Sequence, residues 1–136
     1  MRSWRQGDAG DEVVDRLFVY GTLCSGQTAR SLVADHVARS EPATTEGRIY
    51  AFPMGYPGMV EGDGAVRGEL LWLSELAAAL PLLDAYEGED FERVLRRVRR
   101  QDGSEDLAWC YVLADPTTIV HAEPIDDGDW VRYRAS

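Results

Sequence analysis

One carboxylate stands where an amphipathic helix should present a hydrophobic side chain. Leu76, Leu80 and Leu83 recur at spacings of four and three, which predicts an apolar helical stripe facing the core. The next position on that stripe is Glu87, in the last turn of the predicted helix. Burial and the negative end of the helix dipole both disfavour a carboxylate anion, so we expect the pKa of Glu87 to rise towards neutrality. A carboxyl group with such a pKa suits general acid and base catalysis.

Spacing alone also allows a simpler interpretation of Glu87, and favours it. A solvated glutamate at a frayed helix end, or a partner for an arginine, is the commoner case, because structural ion pairs also perturb carboxylates. The neighbouring acidic residues are typical of solvated surface; they are Asp84, Glu89, Asp90 and Glu92.

A short loop near the N-terminus has the features of an anion site. The apolar run that begins at Leu17 ends at Tyr20-Gly21-Thr22-Leu23, and a helix is predicted to start close behind it, near Ser25. Such a turn directs several backbone N–H groups into one concavity, which suits a carboxylate. It lacks the spaced glycines and the Lys-Ser/Thr pair of a nucleotide-binding P-loop, which disfavours a nucleoside triphosphate. Taken by itself, the tetrapeptide is better explained as an ordinary strand-to-helix turn.

Few other side chains suggest chemistry. Cys24, beside the loop, could be a thiol nucleophile with His36 as its base, although a small buried thiol is the commoner role. The chain has two cysteines and two histidines in all, without ligand-like spacing. We therefore expect no structural metal and no disulfide framework.

The elements that must position these residues are mostly strands in the first half of the chain. Buried strands are predicted at residues 16–20, 46–52 and 65–73. Gly68, inside the third strand, indicates a bulge or a close approach of two backbones. A short helix is predicted from Ser25 to about His36, and turns with a surface loop at 53–64.

The second half combines one helical segment with a hairpin. Residues 74–88 form the helical segment, in which Pro81 predicts a kink or a division into two short helices, and Gly88 predicts its end. Asp102-Gly103 indicates a hairpin turn between strands at 93–100 and 107–114, and the remainder holds one short strand and a turn-rich end. The pattern predicts a compact α+β domain with a curled sheet over 15–136, preceded by a flexible tail at 1–14.

Composition excludes several classes of partner. The formal net charge is -10, from 14 basic and 24 acidic residues among 136, which disfavours nucleic acid and anionic lipid. The arginine-rich segment 93–100 lacks interleaved aromatics and lies on a predicted hairpin strand, so it indicates an exposed sheet face rather than a nucleic-acid site. No membrane span or secretory signal is visible, so we expect a cytoplasmic protein without a membrane partner.

Several motifs occur in the order found in one known family. They are "VYGTL" at 19–23, "YPG" at 56–58, "VRGEL" at 66–70, "LDAYEG" at 83–88 with Arg93 soon after, "WCYV" at 109–112 and "GDW" at 128–130. Over roughly residues 16–133, the chain resembles the gamma-glutamyl cyclotransferase-like family, whose small bacterial members include aminoglycoside-deprotecting gamma-glutamylamine cyclotransferases.

The resemblance implies a small mixed β-barrel with flanking helices, and a cofactor-independent enzyme with a small-molecule gamma-glutamyl substrate. Glu87 would be the general acid and base. The backbone amides of Tyr20, Gly21, Thr22 and Leu23 would bind the glutamyl moiety, with Tyr56 and Arg93 as further substrate-binding or bracing residues. Two positions depart from the family pattern. Phe91 stands where a tyrosine is frequent, which removes a hydroxyl, and Thr22 stands where serine is common.

The implied reaction explains why a loop and one carboxyl group would be enough. The free α-amine of a gamma-glutamyl amide attacks its own side-chain carbonyl, which closes a lactam and releases 5-oxoproline and an amine. A base must deprotonate the amine, an acid must protonate the leaving group, and N–H donors must bind the anionic groups. The rival interpretation is a non-catalytic module that binds a small acidic or glutamyl-containing ligand. A second carboxylate at position 87 argues against it, because that charge would repel such a ligand.

Overall fold

The computed structural model describes residues 15–135, and its centre is a barrel of five strands. The strands are β1 (Arg16–Val19), β2 (Val37–Ala51), β3 (Pro57–Leu73), β4 (Phe91–Arg100) and β5 (Glu105–Leu113). They pair in the order β3-β1-β5-β4-β2, and β2 also pairs with β3, which closes the ring. Strands β1 and β5 run parallel, while the other barrel pairings are antiparallel. The predicted α+β architecture with a small mixed barrel is therefore confirmed.

Alternation along the strands separates two hydrophobic clusters. Leu17 and Val19 of β1 face a cluster under the long helix. Phe18 of β1, and Tyr20 directly after the strand, face a second cluster to which all five barrel strands contribute. This second cluster is the barrel interior, because buried side chains from all five barrel strands meet there. The side chain of Trp130 adds to it and is 1% exposed.

The helical segment is one helix, α1 (Leu76–Glu87), rather than the two short helices that were offered as an alternative. Leu76 and Leu83 are buried on its inner face, and Leu80 is partly buried there, as the stripe predicts. Pro81 lies inside the helix without ending it. Gly88 ends it with φ 72°, a left-handed conformation in which its N–H donates to the carbonyl of Asp84.

The predicted hairpin between β4 and β5 is confirmed. A 3-10 turn, Gly88–Asp90, connects α1 to the start of β4. Gly103 has φ 88° in the turn, and the Arg100 N–H donates to the Ser104 carbonyl at 2.8 Å. Arginines of β4 form ion pairs with carboxylates of neighbouring segments, among them Arg96–Glu61 and Arg100–Glu41. No helix within 15–135 is long and apolar enough to cross a membrane.

Three predictions of local structure are wrong. Residues 25–36 form no α-helix but two single 3-10 turns, Arg30–Leu32 and Ala34–His36. Residues 57–64 are not loop, because β3 begins at Pro57 and pairs with β2 along that stretch. The end of the chain holds the predicted short strand, β6 (Glu123–Ile125), after a 3-10 segment (Pro116–His121), but helix α2 (Trp130–Ala135) follows where only turns were predicted. The tail predicted at 1–14 lies outside the described residues.

Candidate active site

A cleft of about 280 Å³ opens between the loop after β1, the end of α1 and the starts of β3 and β4. It is lined by Phe18, Val19, Tyr20, Gly21, Thr22, Leu23, Tyr56, Pro57, Tyr86, Glu87, Asp90, Phe91 and Tyr111. Sequence analysis proposed seven site residues, and the fold brings six of them to this one cleft. The seventh, Arg93, lies elsewhere.

The loop at 20–23 offers backbone donors to the cleft. Among residues 15–135, the N–H groups of Gly21, Thr22 and Leu23 make no hydrogen bond to protein atoms. The turn is held by other bonds: the Cys24 N–H donates to the Gly21 carbonyl at 3.0 Å, and the Ala29 N–H donates to the Thr22 carbonyl at 2.8 Å. Three amides free in a concave loop are suited to an anionic oxygen.

Gly21 allows this loop to pack against the first residue of β3. A β-carbon at Gly21 would lie 2.7 Å from Cγ and 2.9 Å from Cδ of Pro57, which is too close for real atoms. The glycine is therefore required for close approach.

A partly buried ion pair holds the far side of the same loop. The Arg30 guanidinium donates to Oε1 of Glu69 at 2.7 Å, and the Ser25 N–H donates to Oε2 of Glu69 at 3.1 Å. Both charged side chains are less than a quarter exposed, at 18% and 23%. Glu69 thus satisfies the amide that follows the loop, while the amides inside the loop stay available to the cleft.

Tyr20 contributes its ring rather than its hydroxyl. The hydroxyl donates to the Tyr111 carbonyl at 2.7 Å and accepts from the Met59 N–H at 3.1 Å. Burial, with smaller contributions from Cys110 and Glu87, raises the pKa of Tyr20 well above its ordinary value. Its hydroxyl therefore ties β1, β3 and β5 together and is not an acid or base near neutral pH.

Glu87 is the last residue of α1, partly buried, with its side chain at the cleft. Burial raises the pKa of this carboxyl group from 4.5 to about 7. No arginine, lysine or histidine of the described residues forms an ion pair with it, which distinguishes Glu87 from Glu69. The sequence-based expectation of a raised pKa is thus met through burial, and Glu87 is not the solvated or arginine-paired residue of the simpler interpretation.

Arg93 lies behind the cleft wall. Its Nε and Nη2 atoms donate to the two carboxylate oxygens of Asp84 at 2.9 and 3.2 Å, and its guanidinium stacks 4.4 Å from the ring centroid of Trp109. The Tyr111 hydroxyl donates to the same carboxylate at 2.6 Å. Asp84 is therefore not the free surface residue that was predicted, and Arg93 braces the wall at Tyr111 instead of facing the cleft.

Aromatic rings form another part of the cleft wall. Tyr56 stacks on Phe52 with ring centroids 5.4 Å apart and meets Phe91 edge-on at 6.0 Å. Tyr56 therefore lines the cleft as predicted, and Phe91, noted for its missing hydroxyl, lies beside it.

Three polar residues of the cleft lining were not predicted from the sequence: Tyr86, Asp90 and Tyr111. The Tyr86 and Thr22 hydroxyls are hydrogen-bonded at 3.0 Å, which joins helix α1 to the loop. Tyr86 and Asp90 flank Glu87 within the same chain reversal, so their proximity in sequence was an available signal. Tyr111 belongs to the motif at 109–112, but nothing in the sequence distinguished it from the other alternating residues of a buried strand.

The thiols do not form a catalytic pair with histidine. Cys24 and Cys110 are free and buried, and burial raises the pKa of each to about 12. The Cys24 thiol donates to the Val19 carbonyl at 3.5 Å. Within the described part of the chain, no group of three or more His, Cys, Asp or Glu side chains could hold a metal ion.

Relatives of known description share this sequence pattern over most of its length. Residues 17–132 match the family described as "Gamma-glutamyl cyclotransferase, AIG2-like". "Gamma-L-glutamyl-butirosin B gamma-glutamyl cyclotransferase" of Niallia circulans is 28% identical over 124 residues, which are 87% of this chain and 76% of that protein. The "Gamma-glutamylcyclotransferase family protein YtfP" of Escherichia coli K12 is 29% identical over 116 residues, or 85% of this chain and 96% of that protein.

Solved structures share the fold. YkqA of Bacillus subtilis superimposes with a TM-score of 0.69 at 27% identity over 88% of this chain, which spans 40% of YkqA. An AIG2-like protein of Mus musculus superimposes with a TM-score of 0.62 at 23% identity, over 74% of this chain and 77% of that protein.

Proposed function

The chain belongs to the AIG2-like gamma-glutamyl cyclotransferase family, and we propose that it converts a gamma-glutamyl amine or peptide into 5-oxoproline and a free amine. The observation that carries this proposal is Glu87, a carboxyl group with a pKa of about 7 in a cleft that also presents three free backbone amides. Few structural roles would place an unpaired carboxylate there.

The first half of the reaction needs a base and a fixed substrate. The amides of Gly21, Thr22 and Leu23 bind an anionic oxygen, either the α-carboxylate or the oxyanion that develops on the side-chain carbonyl. The α-amino group reacts as the free amine, and Glu87, as the carboxylate, accepts the proton that its nitrogen loses as it bonds to the side-chain carbonyl carbon. Ring closure is intramolecular, so holding the glutamyl chain in a folded conformation removes much of the entropic barrier.

The second half needs an acid. The tetrahedral intermediate collapses when the bond from its carbon to the leaving nitrogen breaks, and Glu87 returns the proton to that nitrogen. One bond has formed and one has broken, no water is consumed, and Glu87 ends as the carboxylate. A pKa near 7 suits both steps, because both protonation states of Glu87 are then populated at neutral pH.

The remaining site residues shape the cleft. Tyr20 and Tyr56 supply ring surface, while Arg93 acts through Asp84 to hold Tyr111 in the wall. Arg93 is therefore proposed as a positioning residue.

The experiment is a panel of gamma-glutamyl amines and dipeptides incubated with the protein and scored by mass spectrometry for 5-oxoproline. We expect product from at least one free-amine substrate and none from its N-acetylated counterpart, because acetylation delocalises the lone pair of the attacking nitrogen. Release of N-acetylglutamate would mean that water attacks and that the protein is a hydrolase. Binding of the panel without any product would support the non-catalytic module.

A further inference from the structure

The cleft carries negative charge and no positive side chain. Its ionisable lining consists of two carboxyl groups, Glu87 and Asp90, and of tyrosines, with no lysine, arginine or histidine among the lining residues described. The α-carboxylate of a substrate can be met by backbone amides, which carry no net charge. A second anionic group on the substrate would find no partner in this lining.

Asp90 is held in place by its backbone, which leaves its carboxylate free. It ends the 3-10 turn Gly88–Asp90, and its carbonyl accepts from the Ala114 N–H at 2.9 Å. The side chain is exposed and forms no ion pair with residues 15–135. Arg93, three residues later, does not neutralise it, because Asp84 binds that guanidinium through two nitrogens.

The carboxylate of Asp90 acts on the aromatic wall of the cleft. Burial and then the negative charge of Asp90 raise the pKa of Tyr56, so the two side chains are electrostatically coupled. The ring of Phe91 lies edge-on to that of Tyr56 and also lines the cleft. Methylene groups of an alkylammonium pack well on such rings, and its charged head is attracted both by ring faces and by a carboxylate.

We propose that Asp90 selects substrates whose leaving amine carries an additional positive charge, such as a gamma-glutamyl derivative of a diamine or polyamine. This inference rests on the proposed cyclotransferase function and assigns Asp90 a task separate from that of Glu87. Glu87 exchanges protons with the reacting atoms, whereas the Asp90 carboxylate binds the distant ammonium group.

The test compares two substrates that differ in one charge. One is the mono-gamma-glutamyl amide of 1,4-diaminobutane, and the other is the gamma-glutamyl amide of pentylamine, in which a methyl group replaces the ammonium. At low salt we expect the wild type to prefer the diamine derivative by about fivefold in kcat/KM, a typical value for one partly exposed ion pair. Asp90→Asn should remove that preference through KM and leave the pentylamine derivative unaffected.

Glu89→Gln is the matched control, because Glu89 is exposed on the same 3-10 turn but does not line the cleft. It should keep the preference. Equal kcat/KM for the two substrates in the wild type, or an equal loss of both in Asp90→Asn, would overturn the inference.

Binding separates this inference from the reaction on which it rests. Calorimetry of the two amides with Glu87→Gln, and with Glu87→Gln combined with Asp90→Asn, requires no turnover. If neither amide yields 5-oxoproline but the charged one binds more tightly and loses that advantage without Asp90, charge selection stands and the proposed reaction fails. If the two amides bind equally, charge selection fails whatever the reaction.

Discussion

The last turn of helix α1 carries two carboxyl groups, Asp84 and Glu87, and their surroundings shift the two pKa values in opposite directions. Partial burial would raise the pKa of Asp84, but hydrogen bonds from Arg93 and Tyr111 and the charge of Arg93 outweigh it and lower that pKa. Three residues later, burial acts on Glu87 without such compensation and raises its pKa to about 7. The two residues share a helix and an acidic side chain, so the difference comes from what β4 and β5 place opposite them.

This contrast shows how a fold can hold one carboxylate in an ion pair and leave another, three residues later, without a cationic partner among the described residues. Asp84 receives an arginine and a tyrosine hydroxyl and becomes part of the wall. Glu87 faces the cleft, where the loop at 21–23 presents only backbone donors and those remain free for a ligand. Charge compensation at Asp84 therefore supports the wall, and its absence at Glu87 leaves a carboxyl group available for the proton transfers that we propose.

The largest expected effect is on activity, and it should differ between substitutions at Glu87 and at Asp84. Glu87→Gln should lower the rate of 5-oxoproline formation by at least about 100-fold, because the near-isosteric amide cannot exchange a proton. Asp84→Asn is the matched control and should stay within about tenfold of wild type, since it loosens the wall at Tyr111 without touching the reacting atoms. Steady-state kinetics on one gamma-glutamyl amide measures both. A Glu87→Gln variant within a few-fold of wild type would remove Glu87 from the mechanism.

The comparison is sharpened by altering the loop that faces Glu87 while Asp84 stays intact. Gly21→Ala should weaken binding of 5-oxoproline by about tenfold or more, because the new methyl group overlaps Pro57 and displaces the loop amides. Gly26→Ala is the control: Gly26 has φ 78° and nothing within 4 Å of an added β-carbon, so it costs about 1 kcal/mol of stability but leaves the site in place. Calorimetry that gives Gly21→Ala an unchanged affinity in a folded protein would show that the loop is not the glutamyl site.

Stability should change in opposite directions at the two positions. The pKa of Glu87 is raised in the folded state, so its contribution to stability is present below about pH 4.5 and is lost as the pH rises through 7. The free energy of unfolding of Glu87→Gln should therefore exceed that of wild type by about 2 kcal/mol at pH 8. Near pH 4 the two proteins should be equally stable.

Asp84 has a lowered pKa, so its stabilisation is present above its ordinary pKa and disappears as the pH falls through the lowered value. Asp84→Asn should be less stable than wild type at pH 8 by no more than about 1 kcal/mol, since the side chain is 44% exposed. Denaturant unfolding at pH 4, 6 and 8 tests both variants. Shifts of the same sign at pH 8 would end the contrast between the two positions.

The sequence was sufficient to predict the features that depend on the spacing of residues within a short segment. The leucine stripe placed Glu87 on the inner side of α1, and the glycine after it marked the helix end. The family motifs then joined Glu87 to the loop at 20–23 and to Tyr56, and these residues line one cleft. The sequence did not reveal which arginine forms an ion pair with which carboxylate. The pairing of Arg93 with Asp84 depends on how β4 lies against α1.

Tertiary packing explains the elements that were predicted wrongly. Residues 57–64 are rich in glycine and resemble a loop, but the glycines are needed because the strand packs closely: a β-carbon at Gly58 or Gly62 would lie 2.7 Å from the side chains of Leu113 and Arg48. Helix α2 has only six residues, too few to show a hydrophobic periodicity. Asp129 before it was an available capping signal, because its side chain accepts a hydrogen bond from the Arg132 N–H.

The protonation of Glu87 is the central claim, and it can be measured directly. With side-chain carboxyl groups labelled with ¹³C, the resonance that is absent from Glu87→Gln belongs to Glu87, and its chemical shift can be followed from pH 4 to pH 9 without substrate. We predict a midpoint of about 7, set by burial in a cleft without a cationic partner. A midpoint near 4.5, the ordinary value for a solvated glutamate, would contradict the account, because Glu87 would then be no better suited to proton transfer than any surface carboxylate.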